Sequence, residues 1–127
     1  MTTGNSSAKV EEALAKVAQI DSAGYELNSV LALTENLEIN TNQGPLSGLP
    51  ILIKDNIEAI GLPATAGSLA LAGREVTRDS TIAKRLRAAG ATIIGSTNLS
   101  EWANIRSGKS TSGWSAVGGL TANPWKH

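Results

Sequence analysis

The sequence predicts an α/β fold built on a parallel sheet, and three stretches predict it. Pro50, Ile51, Leu52 and Ile53 form a continuous aliphatic run bounded by Gly-Pro punctuation, the pattern of a short strand covered on both faces. Thr92, Ile93 and Ile94 form a second apolar run. Between them, residues 80–89 carry apolar positions at helical spacing. Strand, helix, strand is the order that sets two strands parallel, because a parallel pair needs a crossover long enough to hold a helix.

The elements follow in chain order. Val10, Ala13, Leu14, Val17 and Ala18 lie on one helical face, so residues 7–20 read as an amphipathic helix. Ser6 or Ser7 can serve as N-cap, and Glu11 and Glu12 fall in the first turn, where carboxylates complement the helix dipole. A turn around Gly24 leads to a short strand at 29–33, and the polar stretch 34–44 reads as a surface loop. Gly44, Pro45, Gly48 and Pro50 punctuate the approach to the next strand, and Gly61, Pro63 and Gly67 its exit.

Asp79 or Ser80 caps the second helix, which puts Ile82, Leu86 and Ala89 on one face, points Arg85 and Arg87 to solvent and stops at Gly90. Asn98 with Glu101 has the spacing of a capping box that opens a helix through Trp102. From Arg106 the chain loses periodicity, turns rich in glycine, serine and threonine, and reaches Asn123, Pro124 and Trp125 without a closing element. Phenylalanine is absent, so alanine, glycine, leucine and isoleucine build the core and close backbone packing matters more than large side chains.

Composition narrows the function. At 127 residues there is material for one modest domain or part of one. Lysine plus arginine numbers 11 and aspartate plus glutamate 11, so no net field favours nucleic acid or an anionic membrane as partner. With no cysteine there is no disulfide framework and no thiolate nucleophile. With a single histidine, His127, there is no histidine triad and no multi-histidine metal site. No cofactor is expected. The segment 1–7 lacks a basic and apolar leader, and no run approaches the roughly 18 apolar residues that span a bilayer, so the expected location is cytoplasmic.

Lys54, followed by Asp55 and Asn56, carries the chemical interest. An ammonium held in apolar surroundings loses hydration, which favours the neutral amine and makes the lysine a proton acceptor. The competing reading is a lysine that snorkels from the strand end into water. Elsewhere the plain readings lead. Glu101 is a cap partner before it is an acid, Trp102 and Trp114 are packing anchors, and Gly118 and Gly119 form a tight turn. The serines around Gly113 have no neighbouring histidine to activate them. A nucleotide-binding domain is disfavoured, since neither the dinucleotide fingerprint nor the P-loop pattern occurs.

Three blocks in this order, Lys54 to Asn56, Gly95 to Trp102, and Ser110 to Ser115 around Gly113 and Trp114, resemble the amidase signature family. These are carbon–nitrogen hydrolases with a serine, cis-serine, lysine triad. Gly44, Pro45, Leu46 and Gly48 through Ile57 look like the family's strand bearing the catalytic lysine, and Lys54 is the position that carries over. Thr97 to Asn104, then Ser112 to Ser115, Gly118, Gly119, Asn123 and Pro124, look closest to the peptide-amidase-like branch. The resemblance runs from about residue 29 to 125, with the first helix matched more loosely. It implies the N-terminal part of a single amidase domain spanning 1–127, with a mixed sheet, covered by helices, that is incomplete.

Two departures accompany it. Residues 34–44 are too short and polar for the further helix the family usually places there, and the glycine-serine tract bearing the cis-serine and the nucleophile is expected just after Trp125. The implied mechanism is acyl transfer, in which a neutral lysine takes the nucleophile's proton through the cis-serine and the amide nitrogen leaves. Oxyanion donors are expected from the missing part too. Asn104, Ser110, Thr111 and Ser112 are the expected wall of the pocket for a small-molecule or peptide amide. The chain alone is expected to be inactive. The alternative is a truncated or degenerate product that acts only by binding or self-association through the open sheet.

Overall fold

The computed structural model describes residues 3–22 and 26–125. The expected turn at Gly24 and the lone His127 lie outside them. Helix α1 spans Thr3–Lys16 and passes into a wider π-helical turn, Val17–Ser22. It therefore starts before Ser6 and Ser7, which sit inside it instead of capping it. Ser7 donates its hydroxyl hydrogen bond to Glu11 Oε1 one turn on, at 3.0 Å. Val10 is the residue of α1 that reaches the core, 1% exposed, and α1 lies against strands β2 and β3 described below. Asp21 ties the end of the π turn to the next strand: Oδ1 accepts the Ser29 amide at 2.8 Å and Oδ2 the Val30 amide at 3.1 Å.

Three strands, β1 (Val30–Leu33), β2 (Pro50–Lys54) and β3 (Thr92–Thr97), form one sheet in the order β1-β3-β2. β2 runs parallel to β3 as the crossover rule requires, while β1 runs antiparallel to β3, so the sheet is mixed and not wholly parallel. The strand buried throughout is β3, whose first five residues are all buried; in β2 only Ile53 is. The aliphatic run at 50–53 suggests a strand covered on both faces. Its place at the edge of the described sheet leaves it half covered, and Lys54 is exposed.

The crossover helix α2 spans Thr81–Ala88, and the N-cap is Ser80, whose Oγ accepts the Ala83 amide at 3.2 Å. At the other end Gly90 takes φ +96°, and the amides of Gly90 and Ala91 donate to the carbonyls of Arg87 and Leu86. This is a Schellman ending, which needs a residue tolerant of positive φ. The buried face differs from the expected one. Ala83, fully buried, and Leu86 face the sheet, whereas Ile82 is 52% exposed. A short helix against a close-packed sheet admits alanine where isoleucine would not fit. Arg87 does not point freely to solvent either; its Nε pairs with Asp79 Oδ2 at 3.1 Å.

Ile53, Ala59, Leu62, Ala83 and Ile93 make the core, with Ala32, Ile51, Ile57 and Leu86 packed around it. Loop 34–44 is irregular, as its polarity predicts, but it is tied down: Asn40 Nδ2 donates to the carbonyls of Arg87 at 2.7 Å and Ala91 at 2.8 Å.

The 98–104 segment departs most from expectation. Asn98 makes no cap. Its Oδ1 accepts from the Leu99 amide and the Ser115 hydroxyl, and its Nδ2 donates to Gly119 O and Thr121 Oγ1. Glu101–Asn104 is a single 3-10 turn, with Trp102 and Ala103 at φ 49° and 53°. A left-handed backbone cannot propagate an α-helix of L-residues. The glycine-rich tail, expected to lack closure, folds into a two-stranded ribbon of β4 (Trp114–Ser115) and β5 (Gly119–Leu120). Its turn is residues 116–118, so of the expected glycine pair Gly118 lies in the turn and Gly119 opens β5. Ala122 N donates to Leu27 O at 2.8 Å, returning the tail to the start of β1.

Candidate active site

Lys54 ends β2 opposite Thr97 of β3. The next amide, Asp55 N, donates to Thr97 O at 3.1 Å, and Ile57 N donates back to Lys54 O at 2.9 Å, so the strand is held to its last residue and then turns sharply. This is the carboxyl end of a parallel pair, the edge at which α/β sheets place reacting groups. The apolar enclosure expected around the amine is not supplied by the described residues, because Lys54 is exposed.

Asp55, by contrast, is fully buried. Its Oδ2 accepts hydrogen bonds from the Thr65 amide at 3.2 Å, the Thr65 hydroxyl and the Gly67 amide at 3.3 Å, while its backbone carbonyl accepts from Ala66 N at 3.1 Å. The Thr65–Gly67 loop is thereby fastened to the residue after Lys54. Gly67 sits at φ +75°, and a Cβ there would lie 2.6 Å from Ser115 Cβ, so the position calls for glycine on both counts.

That loop in turn carries the rest of the site. Ala66 O accepts from Trp102 N at 2.9 Å, and Gly67 O from Val117 N at 3.3 Å. Trp102 and Trp114 are the walls of a cleft of about 650 Å3 that also takes in Asn104, Arg106, Ser110 and Thr111. Ser112 is exposed and does not line the cleft, and it accepts from Asn104 Nδ2 at 3.3 Å. Four side chains named from the sequence, Asn104, Ser110, Thr111 and Ser112, thus gather in one place. Lys54 is not among the cleft's lining residues, and is linked to it through Asp55 and the Thr65–Gly67 loop and through its pairing with Thr97 of β3. Trp114, 44% exposed on the cleft, is a wall and not a packing anchor, and Trp102 is half-buried there.

Beside this corner Glu58 binds two guanidiniums, Arg78 at 2.9 Å and Arg74 at 3.1 Å, and their hydrogen bonds hold its carboxyl below the usual carboxylate range. Among the described residues no group of three His, Cys, Asp or Glu side chains is placed to hold a metal ion.

A sequence model of the family described as Amidase matches residues 9–127. The chain belongs to the amidase family. The fold agrees with that of amidases: the structure superposes on the peptide amidase of Stenotrophomonas maltophilia with a TM-score of 0.89 and 41% identity, over 95% of this chain and 27% of that one. Against an amidase family protein of Bacillus anthracis the TM-score is 0.86 and the identity 30%, over 94% of this chain and 26% of that one. Among curated amidase relatives, one from Arthroderma benhamiae is 40% identical over 119 residues, 87% of this chain and 20% of its own length. The chain therefore spans about a fifth to a quarter of the length of such relatives. The likeness to the peptide-amidase branch read from residues 97–124 agrees with the superposition.

Two residues of this amidase segment escape sequence reasoning. Asp55 looks like any turn acid after a strand, and its partner loop lies ten residues away with no periodic signal. Asn98 has the spacing of a cap, and only the return of the tail makes it the bolt between β3 and the ribbon. No helix among the described residues is long and apolar enough to cross a membrane.

Proposed function

We propose that this segment supplies the base and one wall of the substrate pocket to a larger amidase that hydrolyses a linear carboxamide. The observation that carries the reading is the position of Lys54, at the carboxyl end of a parallel pair in an amidase-family segment, held by the Asp55–Thr97 hydrogen bond. In the parent enzyme Lys54, neutral, accepts the proton that a cis-serine relays from the nucleophilic serine. The serine oxygen bonds to the amide carbon, the C–N bond breaks with a proton delivered to the leaving nitrogen, and water then releases the acid. Backbone N–H donors stabilise the oxyanion. Trp102, Trp114, Asn104, Ser110 and Thr111 offer an apolar and hydrogen-bonding wall for a peptide or small-molecule amide. Both serines lie outside these residues, so the chain by itself is inactive, and its location is cytoplasmic.

The test is amide hydrolysis by this chain and by a form extended with its downstream coding sequence, each with and without Lys54→Ala. Turnover confined to the extended form and abolished by the alanine supports the reading; turnover by the short chain overturns it. A second reading, association without catalysis, has its own support in the open edge of β2 and the exposed Ile60, Leu69 and Ile82. Sedimentation of the short chain that shows a defined dimer, with no turnover in the extended form, would favour it.

A further inference from the structure

Asp55 is a buried carboxyl whose two oxygens are treated differently. Oδ2 receives three hydrogen bonds, from the Thr65 amide, the Thr65 hydroxyl and the Gly67 amide, while Oδ1, equally buried, has no partner among the described residues. The other buried side-chain oxygen without a partner among them is Ser96 Oγ, on β3 opposite Ile53 and one residue before Thr97, the register partner of Lys54. Buried polar atoms are almost always paired, because leaving one bare forfeits its hydration with nothing in return. Two such atoms, one in the residue that follows Lys54 and one on β3 a residue before its register partner, point to a group that this segment does not contain. The loop bonds occupy one oxygen only, so anchoring the loop does not explain why the second is carried into the interior.

We propose that Asp55 is a positioning residue of the amidase site: Oδ1 accepts an N–H or O–H donor from the part of the parent chain that completes the site, while Oδ2 holds the Thr65–Gly67 loop and, through it, the Trp102 wall. Asp55 thereby sets the distance between the donor-bearing segment, Lys54 and the cleft. This rests on the amidase reading above. The two oxygens also give the proposal a sharp substitution. In Asp55→Asn the amide oxygen can take the place of Oδ2 and keep all three loop bonds. Its NH2 then occupies the place of Oδ1, presenting a donor where an acceptor is required.

The experiment compares the extended chain as wild type, Asp55→Asn, Asp55→Ala and Lys54→Ala, with kcat and KM on a carboxamide panel, thermal melting, and amide exchange at Thr65 and Gly67. The expected result for Asp55→Asn is protection at Thr65 and Gly67 equal to wild type, a lowered melting midpoint, and kcat reduced on the order of tenfold or more with KM little changed. Full kcat in Asp55→Asn alongside loss in Asp55→Ala would overturn the proposal, leaving Asp55 as a loop anchor only. Retained turnover in Lys54→Ala would sink the assignment of Lys54 as the base instead. Should no form turn over any amide, the sign of the melting shift still decides. A donor facing Oδ1 makes Asp55→Asn less stable than wild type, whereas an oxygen bare in the complete protein makes the neutral amide equal or more stable.

Discussion

Lys54 and Thr97 are register partners at the carboxyl end of the parallel pair, and the amide immediately after Lys54 donates to the Thr97 carbonyl at 3.1 Å. The backbone is therefore fixed while the amine is left exposed, a division of labour that separates folding from chemistry. Lys54→Ala should change the unfolding free energy by no more than about 0.5 kcal/mol, as exposed side chains outside caps and ion pairs usually do. In the extended chain the same change should lower amide turnover by several orders of magnitude, as loss of a proton acceptor in a triad does. Urea unfolding and a turnover assay on one preparation check both halves.

Gly95 of β3 pairs with Leu33 of β1 and lies close against its backbone. A Cβ there would sit 2.5 Å from Ala32 O and 3.0 Å from Leu52 Cδ2. The first is backbone and cannot yield without opening the β1–β3 pairing. Gly95→Ala should destabilise by about 1–3 kcal/mol, as overpacking generally does, read as a lower urea midpoint at unchanged slope.

Asn98 joins β3 to the terminal ribbon through bonds with Leu99, Ser115, Gly119 and Thr121. Asn98→Ala removes all four and leaves the half-buried groups it served without their partner, at a cost of about 1–3 kcal/mol. The loss falls on the ribbon first. Limited proteolysis should cut residues 106–125 faster in the variant while the α2–β3 region resists as in wild type.

Glu58 gives the chain an acid-sensitive contact. The Arg78 and then the Arg74 guanidinium lower its carboxyl from the ordinary value of 4.5. A group whose folded pKa is depressed stabilises fully above its unfolded value and loses that contribution as pH falls through the folded one. Glu58→Gln should therefore melt below wild type at pH well above 4.5 and converge with it in stronger acid. Equal melting points at neutral pH would show that the ion pairs are too solvent-screened to matter.

Much of this was legible in the residues. The aliphatic runs at 50–53 and 92–94 are strands, the stop at Gly90 is a true Schellman ending, and the blocks around Lys54, 95–104 and 110–115 point to the amidase family. What escaped is what depends on partners far along the chain. The antiparallel placement of β1 turns on pairing across more than sixty positions, Val30 with Thr97, which no local pattern encodes. The helix expected from Asn98 to Trp102 failed because Asn98 was claimed by the returning tail, whose hydrogen bonds outcompeted a local cap.

By itself, then, the sequence determined the local elements and the family, because apolar spacing, turn residues and motif order are properties of neighbouring positions. Only the tertiary structure decided that β3 is the buried central strand and β2 an edge of the described sheet, that Lys54 is exposed while Asp55 is enclosed, and that the tail closes on Leu27. Burial and hydrogen-bond partnership are set by which distant segments meet. An aspartate beside a lysine becomes a hub only when the Thr65–Gly67 loop folds onto it.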